Sequence, residues 1–453
     1  MNILSYSTWL ISFAAFAYSL LKADNSPYPL IYLLPLSLWL LSIIFYQVFN
    51  YFKNSWVFKI FILQALVRYP IMTILYCMGS IPTISYNYYA NTVILIMVVE
   101  LITCFSVFTV LSKKQSTSYL QKSNNLVLNK NYLFIYSILL IMFFYILISG
   151  AFSKINFIFS LAEYVEKSIS GEDLNTTTFG EILFTPFKTL LALVIIQRIY
   201  TSSIKENLKK WLYFLIIIVS SSFIVGLSRF SLLQFTLPIV ILITSLISIK
   251  ESKKLVNYSV IIMGIAILIS SLAKFSRYGN EATVDQLAEV RSINAYFAGP
   301  DNISNGLAAY DSITSLNPIL YLINDTFQNI PILSKLTLDD YKLNIIFNKQ
   351  YYGHNLYADQ IVPLDISGLF HFGILGIPFY YCFFLVIALF FERKSYKTTD
   401  FFYKYVYIGL SISFSYIFMK NMSSFYSGLV STFLFLVIPL WLVNVFKVRK
   451  VIV

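Results

Sequence analysis

The sequence is poor in charge: Asp, Glu, Lys and Arg together supply 12% of its 453 residues. An ordinary soluble domain carries about 25%, so this deficit excludes a string of globular domains with solvated surfaces. Cysteine is scarcer still. Cys77, Cys104 and Cys382 are the whole complement of three, each inside an apolar run. None stands at metal-ligand spacing, which argues against a disulfide framework and against a zinc site. There is no Asp-x-Asp pair, no low-complexity tract and no internal repeat at a fixed period; the last weakly disfavours a transporter built from repeated halves. The first apolar run lacks a basic leader and a small-residue cleavage site, so it reads as a retained helix.

What the chain has is hydrophobic surface: 58% hydrophobic residues and 18% aromatic, with 35 Tyr and 41 Phe. The runs predict an all-α polytopic membrane protein of about twelve transmembrane helices, at 3–21, 30–50, 57–79, 90–112, 131–151, 182–203, 211–228, 231–249, 255–273, 368–391, 402–419 and 427–446. Each holds roughly 17–25 mainly apolar residues, enough to cross about 30 Å of hydrocarbon as helix.

The net charge of +12 invites a nucleic-acid reading, and its distribution removes it. With the N-terminus in the cytoplasm, alternating loops place twenty basic and four acidic residues on one side. The other side receives twelve basic and sixteen acidic. This asymmetry is the positive-inside pattern and predicts both termini in the cytoplasm. No stripe of Lys and Arg interleaved with stacking aromatics remains for a nucleic acid.

Three regions follow. Residues 1–273 hold spans one to nine and an acidic outer loop, 152–181; residues 274–367 form a large outer loop; residues 368–453 hold spans ten to twelve and a cytoplasmic end. The large loop carries ten of the 21 acidic residues. Its aliphatic and aromatic anchors between Gly299-Pro300, Asn317-Pro318 and Ile330-Pro331 predict short amphipathic helices lying on the outer membrane face.

Ionisable residues inside a span are costly and need a partner. Arg68 and Glu100 lie near the middle of spans three and four. They form either a buried pair joining two helices, or an Arg68 facing a polar cavity with Tyr69 and Pro70 shaping a kink. Arg229, in the tight Gly226–Phe230 turn, sits at a membrane boundary. There it either snorkels to lipid or takes a phosphate in bidentate fashion. Arg277 and Arg291 open the large loop, and three arginines on an otherwise acidic side suggest a diphosphate site. The two histidines, His354 and His371, are only 17 positions apart. His354 is the stronger candidate for proton transfer, because Gly373 and Gly376 mark His371 as part of a closely packed helix end.

Taken in order, these pieces resemble the Wzy-type O-antigen polymerases and, more distantly, the O-antigen ligases of the same superfamily. The residues carrying the resemblance are Ser228-Arg229 between mid-chain helices, the large late loop with an early arginine, His354-Asn355 near its end, and Gly373 to Gly376 opening the next helix. The resemblance implies an inverting, metal-independent glycosyltransferase of the bacterial inner membrane, without cofactor, working at the periplasmic face. Its donor would be a growing glycan on undecaprenyl diphosphate, its acceptor one lipid-linked repeat unit, and a separate chain-length regulator an expected partner. His354 would then take the acceptor proton, and Arg229, Arg277, Arg291 and, in the cavity reading, Arg68 would hold the diphosphate. In ligases the His-Asn pair lies closer to the glycine segment, and an acidic residue often stands where His371 is here. Both departures favour polymerase over ligase. The alternative from another class is a lipid-linked oligosaccharide flippase, which needs ionisable groups along a central path and has no need of a large histidine-bearing loop.

Overall fold

The computed structural model describes residues 3–79, 87–112, 132–151, 155–157, 179–225, 229–247, 254–261, 264, 294, 296–313, 317–330, 333–353 and 360–445. The fold is predominantly helical. Among the described residues, five helices are long and apolar enough to cross a membrane: Ile3–Asn25, Trp56–Cys77, Ala90–Ser112, Ile182–Thr201 and Met422–Val443. The bent pair Leu364–Gly376 and Phe379–Lys397, whose axes differ by 107°, is apolar enough when taken together and forms either a broken span or a re-entrant loop. Shorter apolar helices lie at Leu33–Ile44, Phe134–Ile148 and Leu233–Leu246.

The chain divides into two compact units. The first comprises residues 1–121, 284–393 and 411–429. Its aromatic centre is formed by Phe49, Phe52, Phe58, Phe61, Phe105 and Phe108, all fully shielded. Phe58 meets Phe108 edge-on at 5.0 Å and Phe49 at 5.1 Å, geometries that aromatic quadrupoles favour. Helix Trp56–Leu66 begins at Ser55, whose Oγ accepts from the Phe58 amide. The same hydroxyl donates to Glu392 Oε2 at 2.7 Å, and Glu392 Oε1 accepts from the Trp56 amide at 2.7 Å. One carboxylate thus fastens the start of this helix to Phe379–Lys397. Farther along, Gln64 Nε2 donates to the Ser415 carbonyl at 2.9 Å. The helix then widens into a π-stretch, Val67–Ile71, around Pro70, which is the local distortion the sequence places at Tyr69-Pro70.

The second unit comprises residues 122–283, 394–410 and 430–453. Helices Tyr132–Ile148, Phe179–Thr201, Glu206–Ser222 and Arg229–Leu246 make its body. It also departs from an all-helical reading. Strands Ile155–Phe157 and Phe223–Val225 pair antiparallel, Ile155 opposite Val225. The run expected as a span over 211–228 therefore leaves helix at Ser222, where Phe223, Ile224 and Val225 are strand formers.

Two further expectations change. The run at 368–391 is not one straight helix. It starts at Leu364, breaks at Gly373 (φ 67°, ψ −157°) and resumes at Phe379. That backbone conformation is open essentially to glycine alone. A Cβ on Gly368 would lie 2.0 Å from the Gly376 carbonyl oxygen, and one on Gly376 would lie 1.9 Å from that of Gly368. The close packing foreseen at Gly376 is real, and its partner is Gly368. The large loop does contain short helices, but Pro300–Asp311 is buried along most of its length instead of lying on a surface. Pro318–Phe327 is inverted: Asn324 and Asp325 face inward while Ile319 and Ile323 are exposed, as suits a helix with an apolar surround.

Candidate functional site

The first unit encloses a chain of buried polar groups. At its centre, Arg68 Nη2 stands 3.0 Å from Glu100 Oε1 and 3.2 Å from Oε2. The Tyr69 hydroxyl lies 2.5 Å from Glu100 Oε1 and 2.9 Å from the Met97 carbonyl. Arg68 Nη1 reaches the Tyr381 hydroxyl at 3.5 Å, and its guanidinium carbon sits 4.5 Å over the Phe418 ring. Asp365 is fully buried and acts electrostatically on both Arg68 and Glu100. Glu100 touches the guanidinium, whereas Asp365 acts on it only electrostatically and its Oδ2 has no hydrogen-bond partner. Of the two readings left open for Arg68, the paired one describes its surroundings: its exposure is 0%, leaving no open cavity in front of it.

A second cluster docks the loop. Pro300 opens its helix after Gly299, and Asp301 falls in the first turn, where the helix dipole favours a carboxylate. Tyr28 donates to Asp301 Oδ1 at 2.5 Å, and Tyr76 approaches the same carboxyl. Burial pushes the Asp301 carboxyl up to about 6, against these two hydrogen bonds. Burial and the adjacent carboxylate raise Tyr28 well above the usual phenol range. Asn302 Nδ2 donates to the Ile361 carbonyl at 3.2 Å and Asn305 Nδ2 to the Phe347 carbonyl at 3.0 Å. Two amides on the polar face of Pro300–Asp311 thus bond to chain on either side of residues 354–359, while Asn305 Oδ1 is buried without a partner.

A clasp closes that interval. Helix Leu343–Tyr352 ends at Gly353 in the left-handed conformation, φ 74°, the usual glycine stop. Asn348 Oδ1 accepts from the Gln360 amide at 3.0 Å, and Gln360 Nε2 donates to the Tyr352 hydroxyl at 2.9 Å. Both ends of the segment that carries His354 are therefore tied to one helix.

His354, Arg277 and Arg291 lie outside the described residues, as does most of the acidic loop 152–181. Arg229 is the first residue of Arg229–Leu246, and its side chain lies outside them too. Of the expected site residues, the structure shows the surroundings of Arg68 alone. Four polar side chains were missed by sequence reasoning. Asp365 reads as the end of a loop, yet it lies in the first turn of an apolar helix. Lys188 sits inside an apolar run. Its ammonium donates to the Ser220 and Phe223 carbonyls at 3.2 and 2.9 Å, capping the end of Glu206–Ser222, and lies 4.0 Å over Phe235. Lys420 donates to Ser413 Oγ at 2.8 Å, and burial pushes its ammonium down to about 7. The fourth, Asp325, faces His371 Nε2 across 3.4 Å; an acidic residue that far along the chain from its histidine leaves no local motif.

The chain matches no protein-family model, no curated protein and no solved structure. Among the described residues, no three His, Cys, Asp or Glu side chains gather as a metal cluster would require.

Proposed function

We propose that the chain is an O-antigen polymerase of the bacterial inner membrane, with twelve spans, cytoplasmic termini and a periplasmic working face. It joins undecaprenyl-diphosphate-linked oligosaccharide repeats. The motif order from Ser228-Arg229 through His354-Asn355 to Gly373 and Gly376 supports the reading. The structural observation that carries it is the treatment of the large loop. A polar helix of that loop is buried among the apolar helices, and the flanks of the His354 segment are clasped through Asn348 and Gln360. Such anchoring holds a reacting group in place, which transfer between two bound lipids needs.

In this reading an acceptor hydroxyl attacks the anomeric carbon of the donor from the face opposite the diphosphate. The new glycosidic C–O bond forms as the bond to undecaprenyl diphosphate breaks, with inversion. His354 takes the hydroxyl proton, and Arg229, Arg277 and Arg291 balance charge on the departing diphosphate. Arg68 is reassigned to holding the helices together.

A flippase remains the second reading, favoured by one observation: the apolar helices of the first unit enclose Arg68, Glu100 and Asp365, and an apolar helix of the second carries the half-buried Lys188. The lipopolysaccharide gel profile of a host lacking the gene decides between them. Polymerase loss leaves cores capped by a single repeat, with the ladder gone. Cores with no repeat, and no polymer on the lipid carrier, would overturn the proposal for flippase; polymer retained on the carrier would overturn it for ligase.

A further inference from the structure

Between Asp365 and Glu392 the chain carries no Asp, Glu, Lys or Arg over 26 residues. One straight span needs only about 20, and the surplus is the segment before the 107° bend. Helix Trp56–Cys77, in the same unit, gives a scale for the depth of that bend. Glu392 Oε1 accepts from the Trp56 amide at 2.7 Å, and Arg68 Nη1 reaches the Tyr381 hydroxyl at 3.5 Å. Trp56 and Arg68 are twelve residues apart, Glu392 and Tyr381 eleven. The two helices therefore run side by side in opposite directions for about 18 Å. Trp56–Cys77 continues nine residues beyond Arg68, whereas Phe379–Lys397 begins only two residues before Tyr381. The bend thus sits about 10 Å short of the Cys77 end, the outer end in the proposed topology.

The segment before the bend is built for that depth. Leu364 through His371 are all buried. Asp365, in the first turn, acts on Arg68 and Glu100, which stand near the middle of Trp56–Cys77 and Ala90–Ser112. Two loop helices cover it. A Cβ on Gly306 would lie 2.4 Å from Ile366, and Phe370 meets Tyr310 and Tyr321 edge-on at 5.2 and 5.1 Å. At the turn itself the Gly373 amide bonds back to the Leu369 carbonyl and the Ile377 amide to that of Ile374. These main-chain donors are paired, as hydrocarbon requires. What the turn leaves uncovered is apolar: Ile374 is 79% exposed and Leu375 87%. Phe379, Phe383 and Phe390 are exposed after them, a stripe along one face of the next helix.

We propose that Leu364–Gly376 is the sunken first leg of a broken span. At 107° to Phe379–Lys397 it lies across the interior of the outer leaflet, and the Ile374-Leu375 turn is seated among phospholipid acyl chains. Three observations favour lipid over a protein partner: the exposed surface carries no charge, it continues into the helix stripe, and it stands at hydrocarbon depth. The inference rests on the chain spanning a membrane and goes beyond the polymerase reading, since it holds for a flippase alike.

The test uses the full-length chain, made cysteine-free, in vesicles of phosphatidylethanolamine and phosphatidylglycerol. A single bimane label is placed at Leu375→Cys, at Phe383→Cys on the stripe, or at Tyr88→Cys, an exposed position ahead of Ala90–Ser112. Acyl chains brominated at mid-chain are expected to quench Leu375→Cys at least about fivefold more than Tyr88→Cys, and within about twofold of Phe383→Cys. Iodide in the water should show the opposite order. Iodide quenching at Leu375→Cys as strong as at Tyr88→Cys would overturn the proposal, because the bend then stands in water. Protection from both quenchers would overturn it too, since protein then covers the turn; a disulfide between two Leu375→Cys chains would name a second copy as the cover.

If Leu375→Cys does not accumulate, Ile374→Cys on the same turn carries the same comparisons. The unsubstituted chain supplies a readout free of variants. A membrane-partitioning diazirine should leave adducts on Ile374 and Leu375 as it does on Phe383. Adducts on Phe383 with none on the turn would overturn the proposal.

Discussion

Arg68 and Glu100 meet at 3.0 Å with neither side chain reaching solvent, and Asp365 acts electrostatically on both. Two acidic groups around one guanidinium make the arginine the keystone. Removing it leaves the buried Glu100 without its cation, whereas removing Glu100 leaves Arg68 under the electrostatic influence of Asp365.

The arrangement predicts an asymmetry. Arg68→Met should destabilise the chain by about 3–5 kcal/mol, the cost of stranding a buried charge. Glu100→Gln should cost less, because its amide oxygen still accepts from Arg68 and Tyr69. Arg68→Met with Glu100→Leu should be more stable than Arg68→Met alone. Thermal unfolding in detergent measures all three; equal losses for the two single variants would refute the keystone role.

Gly368 and Gly376 carry the sharpest steric prediction. An alanine at either position brings a methyl group within about 2 Å of a backbone oxygen, and no side-chain rotation can relieve it. Overpacking of this kind costs about 1–3 kcal/mol or more. Gly368→Ala should therefore lower the yield of folded protein on size-exclusion chromatography. Gly409→Ala, which meets nothing within 4 Å, is the control expected to behave as wild type.

Asp301 predicts a pH dependence of defined sign. Burial raises its carboxyl from 3.8 to about 6, so the folded chain binds this proton more tightly than the unfolded one does. Its contribution to stability is largest below about pH 4 and is lost as pH rises through about 6. Two units correspond to about 3 kcal/mol. Asp301→Asn, which still accepts from Tyr28, should flatten the stability profile between about pH 4 and 6. Unfolding temperatures across that range would show an unchanged slope if the assignment is wrong.

For the proposed reaction, His354→Ala should abolish chain extension at normal protein level. Arg229→Lys should also impair it strongly, because an ammonium cannot reproduce two parallel bonds to phosphate. Full ladders from His354→Ala would remove it as the base. Full ladders from Arg229→Lys would leave Arg229 as a lipid anchor.

Much of this structure is visible in the sequence, for identifiable reasons. Helices such as Ala90–Ser112 announce themselves because a bilayer-length apolar run has few other uses. The Arg68–Glu100 contact follows from two costly groups at matching depth. Non-local relationships do not read out. Pro300–Asp311 carries Asp301, Asn302, Ser304 and Asn305 and looks like a surface helix. It is interior because its partners, Tyr28 among them, lie up to 273 positions away. Asp365 is obscured in the same manner, since the 107° bend that defines its surroundings depends on Gly368 meeting Gly376 across eight residues. The inward Asp325 is hidden by a helix whose apolar side points out.

The buried polar helix also constrains the order in which the protein can be made. Asp301 and its neighbours are too polar for the insertion machinery to release into lipid on their own. Two of their hydrogen-bond acceptors, the Phe347 and Ile361 carbonyls, are synthesised later. These two hydrogen bonds can therefore close only once the chain through residue 361 has emerged. A chain halted before residue 347 lacks both carbonyls, so Asn302 and Asn305 would be without these acceptors.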